Sequence, residues 1–350
     1  MTQHSAATPS DIRAFQAENP KLRARDAAET LGLSEAEFVA ARVGHGATRI
    51  ASHPDRIIPA AEMLGDVMAL TRVAACVHEK VGTYGDYHSG EHAAMTLAEA
   101  IDLRMFPTHW VHAFAVEVAS GQGPRRSLQI FDAAGDAVHK IHLREGSNHD
   151  AWPGILADLA TEDQSDTQPV DARKAVEPPK SRPDKVELLR DEWAKLTDTH
   201  QFLRLCAKLK MNRLGAYRIA GPQWVRPIAP RAVNTMLEAV RDAGIEVMIF
   251  VGNRGCIQIH TGPIHELHAT GPWQNVLDPG FNLHLRTDKV AEVWAVEKPT
   301  QRGPAVSLEA FDEMGGLIFQ VFGVRKEGRD SRPDWWRIVE GLPTLEEVPA

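Results

Sequence analysis

The chain repeats its own sequence at a fixed offset of 180 residues, and this constrains its fold more than any other feature. Val67-Met68 returns as Val247-Met248, Cys76 as Cys256, Gly82 as Gly262, His88 as His268, Leu97 as Leu277 and Leu103 as Leu283. A denser block follows. Ala115-Val116-Glu117 returns as Ala295-Val296-Glu297, Gly123-Pro124 as Gly303-Pro304, Ser127-Leu128 as Ser307-Leu308, Phe131-Asp132 as Phe311-Asp312, and Gly135 as Gly315. Seventeen identities fall in the 69 ungapped positions 67–135, about a quarter and several times chance. The repeat unit is far longer than those of stacked solenoids, so the chain is a duplicated domain.

The segment between the copies, TEDQSDTQPVDARKAVEPPKSRPDK (161–185), is rich in Pro, Asp, Lys and Ser and has almost no apolar periodicity. It reads as an exposed linker. The expected organisation is an N-terminal repeat over 1–160, a linker over 161–183 and a C-terminal repeat over 184–350. A length of 350 residues suits two domains, and 43% hydrophobic with 25% charged residues is a globular balance that excludes extensive disorder. No apolar run approaches the roughly 20 residues of a membrane span, and MTQHSAATPSDIR lacks the basic start and apolar stretch of a secretory signal. A net charge of −8 argues against nucleic acid as a partner. Three cysteines, Cys76, Cys206 and Cys256, form no CxxC pair, which excludes a disulfide scaffold and fits a reducing cytoplasm.

The same order of elements is expected in each half. Residues 21–43 hold two short helical segments, with Ser34 and Glu37 in capping-box spacing, and 184–219 do the same. Short strands follow: EVMIFVG, CIQIHTG, FNLHLR, EVWAVEK, LIFQVFGV and their first-half counterparts. GNRG (252–255) is placed as a hairpin turn, and FDAAGD and FDEMGG precede strands as turns. Strands this close, mostly without intervening helices, predict antiparallel pairing. The fold class is α+β: a tandem duplication in which each half has a helical entry and then a large antiparallel sheet.

Phosphate-loop, dinucleotide, nucleophile-elbow and HExxH motifs are absent. His109/His112 and His139/His142 have a spacing that could chelate zinc in a helix, but in a strand it puts the two side chains on opposite faces. Solvated or satisfied histidines are the simpler explanation for both pairs. His200 stands out by its setting. TDTHQFLRLCAKL places it at a helix start, after Asp198 and Thr199, ahead of an apolar face of Phe202, Leu203, Leu205, Cys206 and Leu209. Counting back from Gly44 and Gly221 sets Arg23 opposite His200, so the histidine has no counterpart in the first half. Such asymmetry suits a duplicated protein with one site; an ordinary helix-capping histidine is the competing explanation. Arg104, Arg213, Lys298 and Arg325 sit beside apolar or aromatic residues, and gathered in one cleft they would suit a dianion.

The stretches GNRGCIQIHTGPI, WQNVLDPGFNLHLRTDKVAEVWAVEKPT and SLEAFDEMGGLIFQVFGVRKEG closely resemble the cytoplasmic haem-degrading and haem-trafficking family of the HemS/HmuS/ChuS type. NPKLRARDAAETLG, VHEKVGTYGDY and IDLRMFPTHW resemble the same family, and the likeness covers about 19–150 and 184–340. It implies two similar halves whose large antiparallel sheets pack centrally, and one haem held by the second half and contacted by the first. By the resemblance, His200 is the axial iron ligand and Arg104 the distal arginine with Phe106 two residues on. Arg213, Phe250, Lys298, Gln320 and Arg325 would be further contacts, with Arg213, Lys298 and Arg325 pairing with propionates. Phe322 stands where family members often carry Tyr, a departure that bears on ring cleavage more than on binding.

Two functions share that pocket. In one, the protein degrades imported haem, with Arg104 stabilising developing charge and an external reductant plus dioxygen or peroxide completing the reaction. In the other, it stores haem and delivers it intact to a haem oxygenase. The implied partners are haem, a haem ABC importer and an electron donor or haem oxygenase, with no nucleic acid and no membrane span. The protein would be a cytoplasmic monomer or homodimer.

Overall fold

The computed structural model describes residues 7–121, 123–326 and 328–345. It divides into two compact units, Met1–Arg72 with Glu79–Lys174 and Asn253–Gln258, and Val73–His78 with Ala175–Gly252 and Ile259–Ala350. The architecture is α+β with antiparallel sheets, as the strand spacing predicts.

In the first unit, helices Pro9–Glu18, Ala24–Leu31 and Glu35–Ala40 come first. Ser34 caps the third of these, and Glu37 returns the bond to the Ser34 backbone, the reciprocal box read from the sequence. Five antiparallel strands lie in the order Ala47–Arg49, His112–Val118, Arg125–Phe131, Ala137–Leu143 and Val67–Arg72. Tyr87–His88, Ala94–Leu97 and Asp102–Met105 form a three-stranded meander. The second unit repeats this plan. Helices Val186–Ala194, Gln201–Leu209 and Arg213–Ala220 precede a sheet ordered Val225–Ile228, Glu292–Lys298, Ala305–Phe311, Leu317–Gly323 and Val247–Gly252. Its meander is Leu267–Thr270, Trp273–Asp278 and Phe281–Arg286. Arg23 is the N-cap of Ala24–Leu31 and His200 the N-cap of Gln201–Leu209, the equivalence expected by counting.

Each unit takes one short segment from the other half of the sequence. Asn253–Gln258 belongs to the first unit, where Gly255 O accepts from Phe106 N at 2.9 Å and from Trp110 Nε1 at 2.8 Å. Asn253 Nδ2 reaches Val138 O at 2.8 Å, and Gln258 Nε2 reaches Ala69 O at 2.9 Å. Val73–His78 belongs to the second unit, where Arg286 N donates to Ala75 O at 2.8 Å. The equivalent cysteines ride on these segments, Cys256 in the core of the first unit and Cys76 in that of the second.

The Pro/Asp-rich segment is exposed, but it is tied down along its length. Arg49 donates from Nε to Ser165 O at 2.7 Å and from Nη1 to Gln168 Oε1 at 2.6 Å, while its backbone N–H reaches Gln164 Oε1 at 3.0 Å. The division between units falls after Lys174. Beyond it, Asn212 Nδ2 donates to Pro178 O at 2.8 Å and Ser181 Oγ to Gly215 O at 2.7 Å. Composition predicts the exposure of this segment; the anchoring by Arg49 is a long-range contact that composition cannot register.

Both faces of the second unit's sheet are covered. Val247, Ile249, Leu308 and Ala310 pack against helices Ala232–Ala243 and Arg332–Glu340, and Val296 and Phe311 pack against the three entry helices. In the first unit, His139 of Ala137–Leu143 faces the core. Its Nδ1 meets Thr71 Oγ1 at 2.8 Å and its Nε2 meets Tyr84 Oη at 2.5 Å. No described helix is long and apolar enough to cross a membrane, and no described group of three or more His, Cys, Asp or Glu is placed to hold a metal ion.

Two predictions follow from these contacts. A Cβ on Gly255 would lie 2.6 Å from Val138 Cγ1, so Gly255→Ala should cost about 1–3 kcal/mol of stability, read as a lower Tm. Hydrogen exchange should locate the loosening in strand Ala137–Leu143, although the substitution lies in the other half of the sequence. Burial also lowers His139 to about 3 and His142 to about 4. The unfolded chain therefore binds protons that the folded chain does not. Stability should fall as pH drops from about 6.5 towards 4, by roughly 1.4 kcal/mol per pH unit for each imidazole. His139→Gln should remove one such increment from the slope of urea-unfolding free energy against pH.

Candidate functional site

His200 stands at the start of helix Gln201–Leu209 with its side chain 92% exposed. Asp198 fixes it: one carboxylate oxygen, Oδ1, accepts from His200 N at 2.7 Å and faces His200 Nδ1 at 2.7 Å. An acceptor-only carboxylate requires the Nδ1 proton, so a neutral imidazole presents the Nε2 lone pair outward. Phe202, Leu205, Cys206 and Leu209 recur at i, i+3, i+4 and i+7 and are buried. Leu203, expected on that face, is 52% exposed, because it falls one position off the stripe. It lies three residues after His200, on the same outward side of the helix.

Strand register then assembles a row of side chains across the sheet. Phe250 pairs with Gln320, Gln320 with Glu309 and Glu309 with Trp294. In the adjacent row Phe322 pairs with Met248 and Ser307. Phe250, Gln320 and Phe322 are half-buried, and the two phenyl rings meet edge to face at 5.4 Å.

At the helix-covered end of this face lies an ion cluster. Glu309 is fully buried, and its Oε1 accepts from Lys298 Nζ at 2.8 Å and Ser307 Oγ at 2.8 Å. Its Oε2 accepts from Arg213 Nη1 at 2.9 Å and Tyr217 Oη at 3.0 Å. Lys298 Nζ also donates to Tyr217 Oη at 3.0 Å and stands 5.0 Å from the centre of the Phe202 ring. Burial favours protonated Glu309, but Lys298 and Arg213 overcome it and hold the carboxyl down at about 2. Burial lowers Lys298 in turn.

Of the residues singled out from the sequence, Arg213 and Lys298 are brought together, with their charges engaged by Glu309. Phe250 and Gln320 share one row, and His200 is two residues from the ring beneath Lys298. Arg325 lies on the exposed strand Arg325–Lys326 and donates from Nη1 to Arg302 O at 2.6 Å. Arg104 and Phe106 belong to the first unit. Arg104 pairs with Asp102, two residues away on the same strand face, and donates to Leu103 O at 3.0 Å. Glu309 and Tyr217 were missed. The offset would have flagged Glu309, because Gln129 stands at its first-half position while Ser127 and Ser307 match.

Two α+β repeats define a duplicated protein, and among the described residues the histidine-started helix, the half-buried aromatic row and the buried cation pair all belong to the second unit. The haemin-degrading HemS/ChuX domain matches twice, over residues 32–159 and 210–342, and the chain belongs to this family. The hemin transport protein HmuS of Yersinia pestis is 37% identical over 323 residues, covering 91% of this chain and 92% of HmuS. Holo-PhuS, a heme-binding protein from Pseudomonas aeruginosa, is similar with a TM-score of 0.92 and 40% identity, covering 97% of this chain and 100% of PhuS. The heme degrading enzyme ChuS of Escherichia coli O157:H7 is similar with a TM-score of 0.85 and 32% identity, covering 95% of this chain and 97% of ChuS.

Removing one member of the ion cluster should cost more than removing two. Lys298→Met leaves Glu309 buried with Arg213 alone and should lower stability by about 3–5 kcal/mol. The double variant Lys298→Met/Glu309→Gln should recover at least half of that loss in chemical denaturation.

Proposed function

We propose that this protein binds haem on its second unit, with His200 as the iron ligand. The observation that carries this reading is the exposed imidazole fixed through Nδ1 by Asp198 and followed by the outward Leu203. The donor set suits the group: one nitrogen lone pair for iron, apolar surface for the macrocycle and cations for its carboxylates. Phe250 and Phe322 would pack on the ring, with Gln320 as a polar neighbour in the same row. Arg213 and Lys298 would form the carboxylate end. Arg325, Arg104 and Phe106 would add contacts from the exposed strand and from the first unit. Bound haem would supply the redox chemistry, while the protein ligates, orients and limits water. HmuS is described as a hemin transport protein, PhuS as heme-binding and ChuS as heme degrading, and these relatives support a role in haemin utilisation.

Within that role we favour haem degradation in the cytoplasm with an external reductant. In this reading Arg104, paired with Asp102 on its strand, would be the residue that stabilises developing anionic charge. The second reading is storage and delivery of intact haem to a haem oxygenase, and Phe322 favours it because a phenyl ring cannot hydrogen-bond a water or oxygen species beside the haem. The partners would be a haem importer and an electron donor or acceptor oxygenase, met by a monomer or homodimer.

His200→Ala should weaken ferric haem binding at least tenfold and shift the Soret band; unchanged affinity and spectrum would remove the axial assignment. Protein loaded with one equivalent of haem, then given ascorbate with and without catalase, separates the two functions. Soret decay that survives catalase supports degradation. Decay abolished by catalase marks peroxide-driven ring oxidation, and a persistent band with transfer to an added acceptor supports delivery.

A further inference from the structure

We propose that Glu309 is the positioning residue of the carboxylate-binding end: it holds Arg213 in place and keeps Lys298 charged behind it, so that a porphyrin carboxylate meets a preformed guanidinium backed by a buried ammonium. This inference rests on the haem-binding reading and deepens it.

The geometry separates this role from a generic packing role. Glu309 is in the middle of its strand, with Lys298 on the neighbouring strand and Arg213 and Tyr217 on the helix above. Four donors converge on its two oxygens, so both are saturated and neither is left to accept from a ligand. Exposure grades across the cluster. Glu309 has 0% side-chain exposure, Lys298 has 5% and Arg213 has 21%, so the guanidinium is the member that faces outward. A ligand carboxylate arriving there meets Arg213 donors that Glu309 does not occupy, since one nitrogen, Nη1, carries the bond to Glu309 and a guanidinium has five N–H groups. The fold does not require this arrangement. In the first unit the positions matching Lys298 and Glu309 are Val118 and Gln129, in the same strand register. The cluster and His200 therefore occur together in one copy and are absent together from the other.

The groups facing Lys298 are Glu309 and Ser307 from its neighbouring strand, Arg213 and Tyr217 from helix Arg213–Ala220, and Cys206 from helix Gln201–Leu209. Glu309 is the anion among them. Without it, an ammonium buried beside a guanidinium loses its proton. A ligand carboxylate would then have to restore the proton on binding. Between the low value in the free protein and the higher value in the complex, affinity would fall about tenfold for each unit rise in pH. With Glu309 present, Lys298 is charged before and after binding and adds no such slope.

The test uses the full chain with protoporphyrin IX and its dimethyl ester, both metal-free so that iron ligation does not enter. Affinities are read by quenching of tryptophan fluorescence between pH 6 and 8.5. The wild type should prefer the diacid to the diester by a ratio that is flat with pH. Glu309→Gln should cut that ratio at least tenfold at pH 8 and make it steepen downward with rising pH, and Glu309→Asp should restore it in part. If Glu309→Gln does not fold, Lys298→Met/Glu309→Gln, in which the remaining charge is the partly exposed Arg213 guanidinium, should fold and show a low ratio without a slope. A Glu309→Gln ratio and slope matching the wild type would overturn the positioning role. Wild type that binds diacid and diester equally would overturn the carboxylate end as a whole. Wild type that binds neither porphyrin, nor ferric haem, would instead bring down the haem reading on which this one stands.

Discussion

A carboxylate without access to water organises the helix-covered face of the second unit. Burying Glu309 as an anion is tolerable only with compensating charge and saturated hydrogen bonds. Lys298, Arg213, Tyr217 and Ser307 supply both. The sheet register, shared with the first unit, puts Lys298 on the adjoining strand, and Arg213 reaches down to the sheet from the first turn of helix Arg213–Ala220. Phe202 and Tyr217, whose rings stack 5.4 Å apart, then close over the ammonium. Helix Gln201–Leu209 is thereby docked through Phe202, and His200 is held at its outer end.

The first unit solves the same packing problem with the signs reversed. The opening residue of its third entry helix is Glu35, where the second unit has Arg213 as the opening residue of helix Arg213–Ala220. Glu35 is buried and pairs with Lys140 and Arg72 from the sheet. A charge from the helix start is thus matched from the strands in both units, but the residues were chosen independently. Leu70, Lys140 and His142 stand where the second unit has Phe250, Gln320 and Phe322. Duplication preserved the frame and left the face beneath the entry helices free to diverge.

The frame was legible in the sequence because it depends on local periodicity and on the repeat. The capping box at Ser34, the turn at GNRG and the equivalence of Arg23 and His200 are all local or countable. The candidate site was legible where one residue carried the signal, as at His200 after Asp198. It was not legible where partners lie far apart in the chain. Nothing local joins Arg213 to Glu309, 96 residues on, and cations in a sequence do not reveal a distant carboxylate that already engages them. Leu203 was misassigned for a simpler reason: a helical stripe of four tolerates no fifth neighbour one residue along.

The exchanged segments set a timetable for synthesis. The first unit is not complete at Lys174, because it also includes Asn253–Gln258, which leave the ribosome about 80 residues later. At typical elongation rates that delay is roughly 4–16 s. During it, the carbonyl of Gly255 is missing from Phe106 and Trp110, and the thiol of Cys256 from Thr71. The nascent first half therefore waits with these hydrogen-bonding groups unmatched. The two copies cannot mature one after the other like beads on a string: the last step of folding the first domain belongs to the translation of the second.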